Sequence, residues 1–229
     1  MSNPILKINK INNNQKTTVV LLHGYGANAE DLAGLADYVP FSKNVNWSFI
    51  EAPFELAGNM YMKSYSWFDL NEELFTSPDK ALVYEKMANL IPNKYNESME
   101  MLLSTFREVL NTEKNIVLGG FSQGSMMALQ LFNNLSSIDQ KQINSLTLFS
   151  SIRFNVDNIT ENKTFPVFQS HGRIDEVLPF DQASLLKNIL EKKYNLEFVE
   201  FNGGHQIPMD VLQSWSDFVN KTLEQTQSL

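Results

Sequence analysis

Short apolar segments alternate along the chain with longer segments in which apolar residues recur every three or four positions. The short segments are rich in β-branched and aromatic residues, which is typical of strands covered on both faces of a parallel sheet. They predict a short edge strand at Ile5–Ile8 and further strands at Thr17–Leu22, Val45–Ile50, Ile116–Leu118, Ser145–Phe149, Phe165–Gln169 and Leu196–Phe201.

The longer segments predict amphipathic helices between those strands. Asn28 is a suitable N-cap for the first of them, and Pro40 follows its last apolar position. Further helices are predicted at Asn96–Leu110, directly after Ser122, at Ser184–Tyr194 and from Pro208 to Val219. Strands that alternate with helices predict an α/β protein with a mostly parallel central sheet and helices on both faces.

Residues 54–93 follow neither pattern for long and contain a cluster of methionine and aromatic residues. We predict an irregular, flap-like excursion over the top of the sheet, within a single domain that spans residues 1–229. Four side chains of the cluster would line a substrate pocket or a movable flap, namely Met60, Met62, Trp67 and Phe68. Ordinary packing over the sheet would account for the same cluster equally well.

Charge and cysteine content restrict the kinds of partner. The formal net charge is −8 and no dense run of Lys and Arg occurs, which argues against nucleic-acid binding and leaves at most a transient contact with membranes. The chain has no cysteine, so disulfides, thiolate metal ligands and a cysteine nucleophile are excluded. Residues 1–16 lack the apolar core of a signal peptide, and no run approaches 18 apolar residues. We therefore expect a cytoplasmic protein.

The segment Gly120–Gly124 places Ser122 between a predicted strand and a predicted helix. Its sequence, Gly-Phe-Ser-Gln-Gly, fits the G-x-S-x-G nucleophile elbow, in which a strained turn exposes the serine hydroxyl above a parallel sheet. Glycines are needed because side chains two residues either side of the serine would collide with the neighbouring strand and helix. A tight glycine turn in an ordinary α/β unit would give the same five residues, so the assignment depends on a base and an acid elsewhere.

A serine hydroxyl becomes a good nucleophile only when a neighbouring base takes its proton. The chain has three histidines. His205 follows Ser122 in a glycine-rich loop before the last helix, which agrees with the order serine, acid, histidine of α/β-hydrolases. A structural histidine that caps the last helix is the alternative. His23 precedes the serine and His171 precedes a glycine turn, so both are predicted to organise their loops.

The acid that orients the base is expected in a loop between the serine and His205. Asp175 lies in such a loop, after the strand predicted at Phe165–Gln169. Glu176 is adjacent and is a rival, and Asp181 is a second rival that is better placed to begin the next helix. The prediction is Asp175.

The oxyanion that develops during acyl transfer needs preorganised N–H donors. The backbone N–H of Gln123, directly after the serine, is expected to be one of them. The other is expected in the loop His23–Gly26, whose glycines let the backbone approach a substrate, and Tyr25 is the predicted donor there.

Together these motifs resemble the acyl-protein thioesterase and carboxylesterase family of α/β-hydrolases, also called the phospholipase/carboxylesterase group. The matching segments are, in order, Leu22–Gly26, Ser66–Asp69, Gly120–Ser125, His171–Asp175 and Gly204–His205. The resemblance implies the α/β-hydrolase fold, a triad of Ser122, Asp175 and His205, and oxyanion N–H groups from Tyr25 and Gln123.

The resemblance also implies an activity, a serine carboxylesterase that hydrolyses carboxylic esters or acyl thioesters through an acyl-serine intermediate. Its substrates would be small-molecule or lipid esters with short to medium acyl chains, lysophospholipids or acylated proteins. No metal or organic cofactor is implied, and several family members form homodimers. Arg153 departs from the family pattern, because it lies where small and apolar residues are usual near the acyl site. A catalytically silent α/β-hydrolase that acts as a binding module is the alternative, and a serine peptidase is a third option.

Overall fold

The computed structural model describes residues 6–41, 44–57, 63–70, 77, 79–156 and 159–227. The strands are β1 (Ile8–Ile11), β2 (Thr17–Leu22), β3 (Asn46–Ile50), β4 (Phe54–Glu55), β5 (Tyr65–Ser66), β6 (Asn115–Phe121), β7 (Ile143–Phe149), β8 (Pro166–Gly172) and β9 (Asn195–Phe201). The helices are α1 (Ala29–Ala33), α2 (Lys80–Asn89), α3 (Tyr95–Thr112), α4 (Gln123–Asn134), α5 (Ser137–Gln140), α6 (Phe180–Lys193) and α7 (Met209–Gln227), and a 3₁₀ helix follows α1 at Gly34–Asp37.

Seven strands form the central sheet, in the order β1-β3-β2-β6-β7-β8-β9. Strand β1 is antiparallel to β3, and the other neighbours are parallel, which confirms the predicted mostly parallel sheet. The edge strand predicted at Ile5–Ile8 lies further along the chain. Pairing with β3, with Ile8 opposite Ile50 and Ile11 opposite Trp47, determines where this strand lies, and no local pattern encodes that pairing.

Both faces of the sheet are covered, because alternate side chains of each strand enter two different hydrophobic cores. In β2, Val20 and Leu22 belong to the core beneath α2, α3, α4 and α6. Val19 and Leu21 belong to the core beneath α1 and α7. This arrangement explains why the parallel strands read as continuous apolar runs in the sequence. Among the helices in the described ranges, none has the length and apolar composition needed to cross a membrane.

Within residues 54–93, where we predicted an irregular excursion, the structure contains the β4–β5 hairpin and helix α2. The carboxylate of Asp79 caps α2 by accepting a hydrogen bond from the N–H of Leu82. Leu82 is exposed, whereas the adjacent Val83 and Tyr84 are buried. Apolar residues therefore do not form one clean stripe on this helix, and contacts with the rest of the protein decide which of them are buried.

The carboxyl ends of the parallel strands meet at one edge of the sheet, where ligands of such folds bind. His23 directly follows β2, and Ser122 directly follows β6. Asp175 and His205 lie in the loops after β8 and β9. The topology thus brings together four residues that are spread over more than 180 positions of the sequence.

Candidate active site

Ser122 lies at the sharp turn between β6 and α4, with φ 55° and ψ −122°. This is an unfavourable backbone conformation for a residue with a side chain, and it is maintained by the surrounding structure. The N–H of Ser122 donates to the carbonyl oxygen of Phe149 at 2.9 Å. A Cβ atom at Gly120 would lie 2.5 Å from the backbone of Gly124, and one at Gly124 would overlap the carbonyl oxygen of Leu22. Both glycines are therefore required by the close approach of strand and helix.

Ser122, His205 and Asp175 form a continuous chain of hydrogen bonds. Ser122 Oγ lies 2.9 Å from His205 Nε2, and His205 Nδ1 lies 2.7 Å from Asp175 Oδ2. Because an ionised carboxylate can only accept, Nδ1 carries the proton and donates it to Asp175. Nε2 is then the acceptor for the serine hydroxyl. The arrangement is suited to removing the proton from Ser122.

The second oxygen of Asp175 is held by the backbone of its own loop. Oδ1 accepts from the N–H groups of Val177 at 2.9 Å and Leu178 at 2.8 Å. Burial acts to raise the pKa of the Asp175 carboxyl, but the hydrogen bonds from His205 and the Leu178 N–H outweigh it and hold the pKa below its usual value. Asp175 is therefore an anion at neutral pH and can accept the hydrogen bond from His205 Nδ1.

The two rival acids lie elsewhere. Asp181 is in the first turn of α6, where its Oδ1 accepts from the N–H of Gln182 at 2.9 Å. Glu176 is exposed beside the mouth of the cavity described below. Of the three candidates, the structure brings Asp175 against His205.

The other two histidines fasten loops, as predicted. His23 Nδ1 donates to the carbonyl oxygen of Gly24 at 2.8 Å, and its Nε2 accepts from the N–H of Ala52 at 3.0 Å. His171 Nε2 lies 2.7 Å from the carbonyl oxygen of Leu178. Burial lowers the pKa of both imidazoles, which keeps them neutral.

Tyr25 and Gln123, the predicted oxyanion donors, border the same cavity as Ser122. Gln123 is the first residue of α4, so its N–H has no acceptor inside the helix. The loop of Tyr25 is fixed to Tyr65 on β5 by two backbone hydrogen bonds, Gly26 N–H to Tyr65 O at 2.9 Å and Tyr65 N–H to Ala27 O at 2.8 Å. One N–H group thus lies at the start of a helix and the other in a loop that is hydrogen-bonded to β5.

A cavity of about 460 Å³ extends from Ser122 and His205, a volume typical of small-molecule sites. Its wall is mostly apolar. Besides Ser122, His205 and the residues around the elbow, the described side chains that line it are Tyr25, Ala27, Phe68, Leu70, Tyr84, Met87, Met126, Glu176, Val177 and Leu178. An acyl chain is the kind of group that such a wall would accept.

The predicted pocket residues have different positions. Phe68 lines the cavity, whereas Trp67 is fully buried outside its lining and donates its indole N–H to the carbonyl oxygen of His23 at 2.9 Å. Met60 and Met62 lie outside the described residues. Arg153, expected near the acyl site, is not among the described residues of the wall.

Sequence reasoning missed two features of the site. Tyr84 and Met87 line the cavity from α2, and their spacing of three residues was the available signal. The side chain of Gln123 was also missed. Its Oε1 accepts from the N–H of Trp67 at 2.9 Å and its Nε2 donates to the carbonyl oxygen of Phe68 at 2.8 Å. The first residue of α4 therefore holds the segment that forms part of the cavity wall.

Comparison with known proteins identifies relatives. The sequence profile of the family described as Phospholipase/Carboxylesterase matches residues 3–223. An acyl-protein thioesterase 1 of Kluyveromyces lactis is 27% identical over 225 residues, covering 91% of this chain and 93% of that protein. An acyl-protein thioesterase 1 homolog 1 of Dictyostelium discoideum is 25% identical over 213 residues, covering 90% of each.

Solved structures share the fold at lower identity. A carboxylesterase of Bacillus cereus superposes with a TM-score of 0.70 at 20% identity, covering 96% of each chain. Acyl-protein thioesterase 2 of Zea mays superposes with a TM-score of 0.69 at 20% identity, covering 95% of this chain and 99% of that one. These likenesses confirm the α/β-hydrolase fold. Because the family profile extends over nearly the whole sequence, the chain belongs to the phospholipase/carboxylesterase family.

Proposed function

We propose that the protein is a serine hydrolase that cleaves carboxylic esters or acyl thioesters through an acyl intermediate on Ser122. One observation carries the proposal. The hydrogen-bonded chain from Ser122 through His205 to Asp175, with distances of 2.9 and 2.7 Å, borders an apolar cavity. The names of the relatives, acyl-protein thioesterase and carboxylesterase, support the same reaction class.

In the acylation step, Ser122 Oγ attacks the carbonyl carbon of the acyl group while His205 Nε2 takes the hydroxyl proton. The carbonyl oxygen becomes an oxyanion, which accepts hydrogen bonds from the backbone N–H groups of Tyr25 and Gln123. When the oxyanion collapses, the bond to the leaving oxygen or sulfur breaks. His205 gives its proton to that atom, so an alcohol or a thiol departs.

In the deacylation step, water transfers a proton to His205 Nε2 and attacks the acyl-serine carbonyl. The second oxyanion forms in the same position and collapses with release of a carboxylic acid. Ser122 recovers its proton from His205. Asp175 remains ionised throughout and stabilises the imidazolium that forms in each step.

The acyl chain is accommodated by the apolar wall, and the leaving group extends toward the exposed rim near Glu176. Relatives named acyl-protein thioesterases favour an acylated protein as one source of that chain. Lipid esters and small-molecule esters have the same acyl group and differ only in the part that remains outside the cavity. Medium-chain acyl groups suit a cavity of about 460 Å³.

The test is the intact mass of the protein after incubation with a fluorophosphonate, which reacts with activated serines. Wild type should gain one adduct and Ser122→Ala none. Ser125→Ala is the matched control, because Ser125 lies one helical turn away and donates its hydroxyl to the carbonyl oxygen of Ser122 at 2.5 Å. It should still be labelled. A folded wild-type protein without an adduct would contradict the proposal and would favour a binding module.

A further inference from the structure

The side chain of Tyr84 joins helix α2 to the loop of the catalytic acid. Tyr84 is 4% exposed, and its hydroxyl donates to the carbonyl oxygen of Val177 at 2.5 Å. The two residues are 93 positions apart in the sequence. Tyr84 also lines the cavity, together with Met87 on the same helix and Leu178 on the loop. It thus lies where these two walls of the cavity meet.

Val177 forms hydrogen bonds in two directions. Its N–H donates to Oδ1 of Asp175 at 2.9 Å, and its carbonyl oxygen accepts from Tyr84. Val177 is 55% exposed, whereas the next residue, Leu178, is buried and its carbonyl oxygen is held by His171, so the bond from Tyr84 adds to the contacts that hold this loop. A continuous set of hydrogen bonds therefore runs from Tyr84 through Val177 and Asp175 to His205.

The phenol of Tyr84 is suited to remain protonated and to donate a hydrogen bond. Burial raises its pKa, and the negative charges of Asp175 and Asp181 raise it further. The hydroxyl is therefore protonated over the range in which ester hydrolysis is measured. Removing it would leave the acceptor in the acid loop without its partner.

We propose that Tyr84 is both a specificity-determining and a positioning residue of this site. Its ring limits the acyl pocket on the side of α2, and its hydroxyl holds the loop that carries Asp175. This inference rests on the proposed function, since it assigns the cavity to the acyl chain. It predicts that the ring and the hydroxyl can be separated by mutation, because they act on different kinetic quantities.

Tyr84→Phe keeps the ring and removes the hydroxyl. The rate of labelling by a short ethyl fluorophosphonate, which leaves the acyl pocket empty, should fall about five-fold, the effect of one lost hydrogen bond. The kcat/KM values for butyryl, octanoyl and decanoyl p-nitrophenyl esters should fall by the same factor, so the chain-length preference stays unchanged. Tyr194→Phe is the matched control. Tyr194 is also buried, with its hydroxyl bonded to Asn133 at 3.3 Å, and it does not line the cavity.

Tyr84→Leu removes the ring as well. The ratio of kcat/KM for the decanoyl ester to that for the butyryl ester should rise at least about ten-fold over the ratio in Tyr84→Phe, because the pocket is longer. Met87→Ala enlarges the same wall without touching the bond to Val177. It should raise this ratio as well. Thermal unfolding of each variant verifies that it is folded.

The outcomes separate the two proposals. Labelling of Tyr84→Phe at the wild-type rate would overturn the positioning function of the hydroxyl. An unchanged chain-length profile in folded Tyr84→Leu and Met87→Ala would overturn the specificity function of the ring. Both results would leave the proposed function intact, because wild type would still be labelled at Ser122. A wild-type protein that is neither labelled nor active on any ester would instead refute the proposed function and this inference with it.

Discussion

Replacing Asp175 by asparagine is the sharpest perturbation of the proposed triad. The carboxylate accepts three described hydrogen bonds, from the N–H groups of Val177 and Leu178 on Oδ1 and from His205 on Oδ2. An asparagine has one oxygen for these donors. If that oxygen takes the two backbone N–H groups, the amide NH₂ faces His205 Nδ1, which must then accept.

The proton of His205 would then reside on Nε2, and Nε2 could no longer accept the proton of Ser122. The asparagine would keep the size of the aspartate side chain and most of its contacts. The loss of activity would therefore come from the wrong tautomer of His205 and the missing negative charge. In serine proteases with the same arrangement the equivalent change lowers kcat about 10⁴-fold, which corresponds to about 5.4 kcal/mol of transition-state stabilisation at 1.36 kcal/mol per factor of ten. We expect a loss of about 10³ to 10⁴ here.

The assay is kcat/KM for p-nitrophenyl octanoate, with the fluorophosphonate labelling rate as a second measure that does not depend on acyl binding. Asp181→Asn is the matched control and should stay near wild type, because Asp181 serves the start of α6. Glu176→Gln should change activity less than about ten-fold, since the residue lies at the rim. Near-full activity of Asp175→Asn together with a large loss in Glu176→Gln would refute the assignment of the acid.

Two further predictions concern the elbow and the pH dependence of stability. Gln123→Ala leaves the backbone donor in place but removes both side-chain hydrogen bonds to residues 67–68. We expect the free energy of unfolding to fall by about 2–6 kcal/mol and the Tm, measured by calorimetry, to fall with it. A Tm equal to wild type would contradict this role. Since the folded-state pKa of Asp175 is lowered, its ionisation stabilises the protein above the unfolded-state value of about 3.9 and the contribution disappears as pH falls through the folded-state value. Urea unfolding should therefore show a larger difference between wild type and Asp175→Asn at pH 7 than at pH 3, and an equal difference at both would refute it.

Much of the site could be predicted because its determinants are local. The elbow around Ser122 is encoded by two glycines and by an apolar strand that leads into a helix, and a collision at either glycine follows from the backbone alone. The order of serine, acid and histidine along the chain then indicated His205 as the base, and the loop after the strand at Phe165–Gln169 favoured Asp175 over Glu176 and Asp181 as the acid. The parallel sheet could also be predicted from the sequence, because strands buried on both faces must be apolar throughout.

The tertiary structure decided what fills the space above the sheet. From the sequence we predicted an irregular excursion at residues 54–93, whereas the structure contains helix α2 there, with Val83 and Tyr84 buried against the rest of the chain. The bond from Tyr84 to Val177 joins residues 93 positions apart, and the side chain of Gln123 reaches a backbone 55 positions away. Such contacts have no periodicity in the sequence, because they depend on how separate segments pack. Local sequence patterns thus identify the nucleophile and its candidate partners, whereas the shape of the acyl pocket arises from long-range packing.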